Sequence, residues 1–277
     1  IRPSVFPAGE IRVGRARLRV AATLGDQQAA LLGVGCARRG EMVINYGTGA
    51  FAALNTRDGP VRAPGLLTSV AWSSEQGVRY LLEGTVNAAG GAVDWMEKVT
   101  APARSRSRRS LKWDLLPIVI PGFSGLGAPH WRSDAGAAIF DLAYGAGPAE
   151  LHAATLAGIA CRVREIVERM ERNGRVLRRI VAAGGLLRSR GLLEIQADLL
   201  GRALFRSGVE DATARGAAIL AGHALGAWDL ERGPALTPRA RRVSGARGRK
   251  AAEAYYRRFV SRMDSLLAST RPAGIGL

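Results

Sequence analysis

The sequence predicts an α/β domain built on a mixed sheet. Three observations carry that expectation. A glycine-linked pair of β-rich runs lies at residues 42–55, short apolar strands alternate with amphipathic helices beyond residue 118, and glycine-rich turns sit at the strand ends.

The elements follow in order. Leu18, Val20, Ala21, Ala22 and Thr23 form an apolar, β-leaning run, and Ala29, Ala30, Leu31 and Leu32 read as helix. Between them stand Gly25, Asp26, Gln27 and Gln28, which place a carboxylate at the mouth of a strand–turn–helix junction. Asp26 has two readings there: a cap accepting an orphan backbone N–H, or a group that does chemistry. Residues 42–46 and 51–55 are strands joined by Gly47-Thr48-Gly49, a tight hairpin signal. Another strand follows near residues 78–82, and Thr85 is read as the cap of a helix over "NAAGGAVDWMEK". The segment "TAPARSRSRRSLK" is a basic loop, and "LLPIVIPGFSGLGAPHW" is a buried strand running into a Gly/Pro-rich loop.

Leu151, Leu156, Ile159, Val163, Ile166, Val167 and Met170 make the apolar stripe of a long helix ending at Asn173-Gly174. "RRIVAAGG" is a strand that ends in Gly184-Gly185. "SRGLLEIQADLLG" is a helix stopped by Gly201, "ALFRS" a short strand, and "DATARGAAILAGHALG" a helix capped by Asp211. A last helix covers residues 250–267, and no repeat occurs at solenoid periods.

Composition narrows the function classes. At 277 residues and 47% apolar content the chain can bury a full core, yet no run approaches the 18 apolar residues of a membrane span. The first twenty residues have no signal-peptide core and no initial Met, so the chain is read as a piece of a longer protein. Cys36 and Cys161 sit in apolar helical settings and read as buried, reduced thiols of a cytoplasmic protein. The net charge is +17, and only Lys98, Lys112 and Lys250 among the 40 basic residues are lysines. With 6% aromatic residues, none interleaved with the arginines, this reads as solvated charge rather than a nucleic-acid surface.

No P-loop or dinucleotide fingerprint occurs. His130, His152 and His223 are too dispersed for a metal site or a triad, and the last two fall in helices as surface or half-buried residues. What remains is the set of turns at Gly25-Asp26, Gly47-Thr48-Gly49, Gly90-Gly91 and Gly184-Gly185. Turns of this kind expose backbone N–H groups that suit a polyphosphate.

The segments "GDQQAALLG", "YGTGAFAALNT", "LLTSVAW", "YLLEGTVNAAGGAVDWM", "PGFSGLGAPHWRSDAGAAIFDL", "ATLAGIACRVREIVERM" and "AAGGLLRSRGLLEIQADLLG" occur in that order. Over residues 24–228 the chain resembles the FGGY carbohydrate kinases, nearest to the branch that phosphorylates glycerol. The resemblance implies an actin-like ATPase fold, in which two RNase H-like domains close over ATP. It places residues 1–36 at the end of an N-terminal domain and residues 37–277 in the C-terminal nucleotide-binding domain. It also implies roles: Asp26 as catalytic base toward the attacking hydroxyl, Gln27 hydrogen-bonding the polyol, and Phe51 packing on its carbon face. Gly47, Thr48 and Gly49 would meet the nucleotide phosphates. Gly90 and Asp94 would lie on the nucleotide helix, and Gly184, Gly185 and Ser189 where the chain passes under adenine and ribose. Mg²⁺ would bridge the phosphates, with no metal ligand assigned to this chain.

Ala183 stands where the family carries Asp, Asp94 where it carries an amide, and Ser189 where it carries Asn; residues 97–116 do not match. Family members are also about twice as long, and the remaining half supplies much of the polyol pocket. Oriented reactants gain effective molarities of about 10⁵–10⁸ M, so the isolated chain is expected to turn over little or not at all. Three other readings stand beside an FGGY kinase acting on glycerol: a kinase for another polyol or a pentulose such as xylulose, a non-catalytic nucleotide-binding relic, and a nucleic-acid binder. Partners expected are glycerol or a related polyol or sugar and ATP/ADP, with no membrane. A homo-oligomer or a separate N-terminal half is also admitted.

Overall fold

Val5–Val13 (β1) and Ala16–Ala22 (β2) alternate apolar and charged residues and pair antiparallel, closed by Gly14 at a φ of 59°. The remaining elements, in this computed structural model, are α1 (Asp26–Gly33), β3 (Glu41–Tyr46), β4 (Ala50–Asn55), β5 (Leu67–Ser74), β6 (Gly77–Val86), α2 (Gly90–Thr100), β7 (Ile118–Ile120) and β8 (Ala138–Phe140). They continue with α3 (Pro148–Arg172), β9 (Arg179–Ala183), α4 (Leu192–Leu200), β10 (Leu204–Arg206), α5 (Ala212–Ala224), β11 (Arg241–Val243) and α6 (Arg249–Ser269). The structure describes residues 2–56, 59–100, 111–172, 176–230, 240–244 and 248–270. The expected basic loop and the Asn173-Gly174 stop fall mainly or wholly outside these residues.

The sheet is mixed, as expected. Its seven strands run in the order β11-β10-β9-β3-β4-β6-β5, with β3, β9 and β10 mutually parallel and the other neighbours antiparallel. Strands β3, β4 and β9 are almost continuously apolar because helices cover both sheet faces. Met42, Ile44 and Tyr46 enter one apolar layer with residues of α2, α3, α4 and α6, whereas Val43 enters the other with residues of α1 and α5. The same alternation places Ala52 and Leu54 on the first side and Phe51 and Ala53 on the second, the two-residue period of a strand.

Polar atoms inside the first layer are bonded across elements. Tyr46 Oη donates to Gln196 Oε1 at 2.6 Å, and Gln196 Nε2 donates to the Ala160 carbonyl at 3.1 Å, tying β3 to α4 and α3. Gly201 stops α4 in a left-handed conformation, and Asp211 caps α5 by accepting the Ala214 N–H at 2.9 Å, both as the sequence predicts.

Three local readings change. Thr85 belongs to β6 rather than capping α2, because the strand continues through Val86 to complete its pairing with β4. His152 is buried at 3% exposure on the packed side of α3. Cys36 is buried and free, but it lies in the turn after α1, where its thiol faces the Met42 carbonyl.

Candidate active site at one end of the sheet

Strand direction gathers the glycine turns. The parallel pairing of β3 with β9 runs up to Asn45 opposite Ala183, so Gly47 and Gly184 leave the sheet side by side. Strand β4 starts from the same end, with Ala50 opposite Val86, and β6 passes from Val86 into α2. The fit there requires glycine. A Cβ on Gly184, whose φ is 103°, would stand 2.2 Å from the Tyr46 carbonyl oxygen, and one on Gly90 would stand 2.7 Å from that of Gly47.

The turn also caps α2. The Ala89 and Gly91 N–H groups donate to the Thr48 carbonyl at 2.7 and 3.1 Å, and the Gly90 N–H donates to the Gly47 carbonyl at 3.0 Å. These are the orphan donors of a helix start, so the Gly90-Gly91 amides are already occupied. The turn instead leaves the side chain of Thr48 exposed. Beyond Gly184, a Cβ on Gly185 would meet nothing within 4 Å, which leaves an open surface beside the turn. Ser189 is half-buried, and its N–H donates to the Leu186 carbonyl at 2.9 Å. Asp94 is exposed in the second turn of α2, next to Trp95, whose ring lies 4.8 Å from that of Phe123.

Asp26 opens α1 and is exposed. Gly25 occupies the cap position with no side-chain cap bond, and Asp26 stands one residue on, at the first helical position. Its Oδ1 accepts the Gln27 N–H at 2.8 Å, and its carbonyl accepts the Thr213 hydroxyl at 3.4 Å. Thr213 begins α5, which leaves the same end of the sheet through β10, so α5 brings Asp26 to the edge that carries the turns. Gln27 is half-buried. Phe51, 9% exposed, is part of the apolar layer under α1 and α5.

Two supports escaped the sequence reading. Asn87 Nδ2 donates to the Ser124 and Gly125 carbonyls at 3.0 and 3.4 Å, holding the Gly/Pro-rich loop against the start of α2. Arg162, 1% exposed, reaches the same loop through the Ala128 and Gly127 carbonyls at 2.7 and 3.4 Å. It pairs with Glu165, which faces His130 Nε2 at 3.0 Å. Burial raises the Glu165 carboxyl, but Arg162 and His130 outweigh it and hold the group below the usual carboxylate range. The available signal was an arginine within the apolar stripe of α3. Among the described residues no cluster of three or more His, Cys, Asp or Glu could hold a metal ion, and no helix is long and apolar enough to cross a membrane.

Residues 42–225 match the C-terminal domain of the FGGY family of carbohydrate kinases. The chain belongs to that family. Among its relatives, a glycerol kinase of Thermus brockianus is 42% identical over 85% of this chain and 49% of its own length. One from Natranaerobius thermophilus is 38% identical over 79% and 46%. A crystal structure of Plasmodium falciparum glycerol kinase with ADP superposes with a TM-score of 0.78 at 26% identity, over 94% of this chain and 55% of that one. A xylulose kinase from Rhodospirillum rubrum shares the fold, with a TM-score of 0.80 at 18% identity over 96% of this chain and 57% of its own. The chain thus has the actin-like ATPase fold of the FGGY kinases and spans about half the length of the curated relatives it matches.

Proposed function

We propose that this FGGY chain is the nucleotide-binding part of an ATP-dependent kinase that phosphorylates a hydroxyl of glycerol or a related polyol. The convergence of the Gly47-Thr48-Gly49 turn, the start of α2 and Gly184-Gly185 at one sheet end carries the reading. In it, residues 37–277 form the nucleotide domain and residues 1–36 the end of a preceding one. ATP fits the residues present: Gly185 leaves an open surface for the base and ribose, and Thr48 presents a free hydroxyl toward the phosphates. Mg²⁺ would be held by those phosphates, since the described residues offer no metal-binding cluster.

The chemistry assigned to the chain is proton transfer and positioning. Asp26 has one carboxylate oxygen occupied by the Gln27 N–H; the other would take the proton of the attacking hydroxyl. Base assistance of this kind contributes about 10²–10⁴-fold, whereas most of phosphoryl transfer is positioning and charge stabilisation. Gln27 beside it would hydrogen-bond the polyol, and Phe51, which lies in the apolar layer under α1, would pack toward its carbon face. Gly90, Asp94, Gly184 and Ser189 complete the nucleotide wall.

Calorimetric titration of ATP–Mg²⁺ and ADP into the chain, repeated with Thr48→Ala, tests the proposal. Micromolar to millimolar binding that the substitution weakens supports it. A folded chain that binds neither nucleotide favours the relic reading, which Ala183 at the end of β9 would then explain.

A further inference from the structure

Beside the proposed nucleotide wall, and sharing Ser189 with it, lies a cleft of about 360 Å³ on the α4 side of the sheet. Its walls come from the segment after Gly185, the first turn of α4, edge strand β11 and its neighbour β10. Three arginines, Arg188, Arg206 and Arg241, line it together with Arg190, and Glu194 is its one carboxylate. Arg206 and Arg241 are direct partners across the antiparallel β10–β11 pair, so their side chains leave the same face of the sheet. Like charges directly opposite each other destabilise a strand pair. Among the described residues, none of the three arginines has a carboxylate partner, although their neighbours Arg202 and Arg179 pair with Glu171 and Glu41. Three unneutralised guanidiniums converging on one concavity match a phosphate dianion, which their planar donor forks can hold bidentately.

We propose that this cleft binds the phosphate group of a small phosphorylated molecule other than the nucleotide. That last clause rests on the nucleotide reading, which puts the nucleotide's phosphates at Gly47-Thr48-Gly49. Strand β9 separates β3 from β10, so at the usual strand spacing the β10 wall of the cleft, with Arg206, stands about 10 Å from the strand that carries that turn. Binding would neutralise the Arg206–Arg241 pair and fasten edge strand β11 to the segment that follows Gly185.

The test uses inorganic pyrophosphate as the probe, titrated calorimetrically into the chain at low ionic strength. Arg206→Gln/Arg241→Gln is compared with Arg172→Gln/Arg257→Gln, which removes the same charge from exposed positions elsewhere. The expected result is one site per chain, weakened at least tenfold by the cleft pair and unchanged by the control pair, by Thr48→Ala or by saturating ADP. Thermal unfolding of both pairs checks that the fold is kept. Equal loss in both pairs, or full binding in the cleft variant, would overturn the proposal by showing diffuse charge or a site elsewhere. Displacement of pyrophosphate by ADP would overturn the claim of a ligand distinct from the nucleotide. A chain that binds pyrophosphate through Arg206 and Arg241 but does not bind ADP would refute the nucleotide reading and leave the cleft standing.

Discussion

The two faces of the central sheet are covered by opposite means. On one face α1 and α5 meet backbone to backbone. A Cβ on Gly33 would stand 1.8 Å from the Ala212 carbonyl oxygen, and one on Gly216 would stand 1.7 Å from that of Ala29. On the other face α3 also approaches β7 closely at Gly158, but it packs its remaining stripe through side chains and buries a guanidinium, Arg162, to hold a loop. The first face fixes the position of Asp26 by leaving side chains out. The second fixes the loop beside α2 by placing a charge where water cannot reach. A site carried by one sheet end thus depends on steric closeness on one side and on electrostatic satisfaction on the other.

Breaking the charged side should cost most. Arg162→Met leaves Glu165 buried without its cation, and loss of one partner of a buried pair costs about 3–5 kcal/mol. Chemical denaturation measures it. A cost within the range of an exposed pair would show that the guanidinium is dispensable there. On the glycine side, Gly216→Ala overpacks the contact with α1, for about 1–3 kcal/mol. Its sharper signature is a shift of α1, read as faster amide exchange at residues 26–33 than in Arg162→Met; equal exchange in the two variants would erase the distinction between the faces.

Acid should report on the charged face alone. The folded-state value of Glu165 lies below its unfolded value of about 4.3, so its stabilising contribution is present above that pH and is lost as pH falls through the folded value. Glu165→Gln is therefore expected to unfold more readily at neutral pH and to show a shallower loss of stability below about pH 4. Parallel acid-unfolding curves for wild type and variant would count against the pairing. The smallest effect belongs to Asp211→Ala, which removes the cap of α5 and costs about 1 kcal/mol, read as a modest fall in midpoint without altered pH dependence.

Much of this was legible in the chain. The hairpin around Gly47-Thr48-Gly49, the helix stop at Gly201 and the helix start at Asp211 depend on neighbours within a few residues, so local pattern reads them. The long stripe of α3 was read for the same reason. Strands β1, β5, β8 and β11 were not read as strands, since short or exposed strands lack an apolar run and are defined by the partner they meet. Thr85 was misplaced because a strand's length is set by pairing with β4, which lies thirty residues earlier. His152 looked half-buried because a helical pattern shows periodicity but not which neighbours close over a given position.

The sequence by itself determined the residue types at the site: glycines where strands must turn and a carboxylate at the start of α1. It also supplied the ordered motifs that mark the FGGY family. Those are properties of local steric freedom and side-chain chemistry, which stay with the residues. Only the tertiary structure decided that the α2 amides are spent on the Gly47 and Thr48 carbonyls, that Arg162 serves the loop, and that Arg206 faces Arg241. Each of these is a contact between segments far apart in the chain. Such contacts are fixed by strand register and helix packing, and the order of residues along one segment carries no record of them.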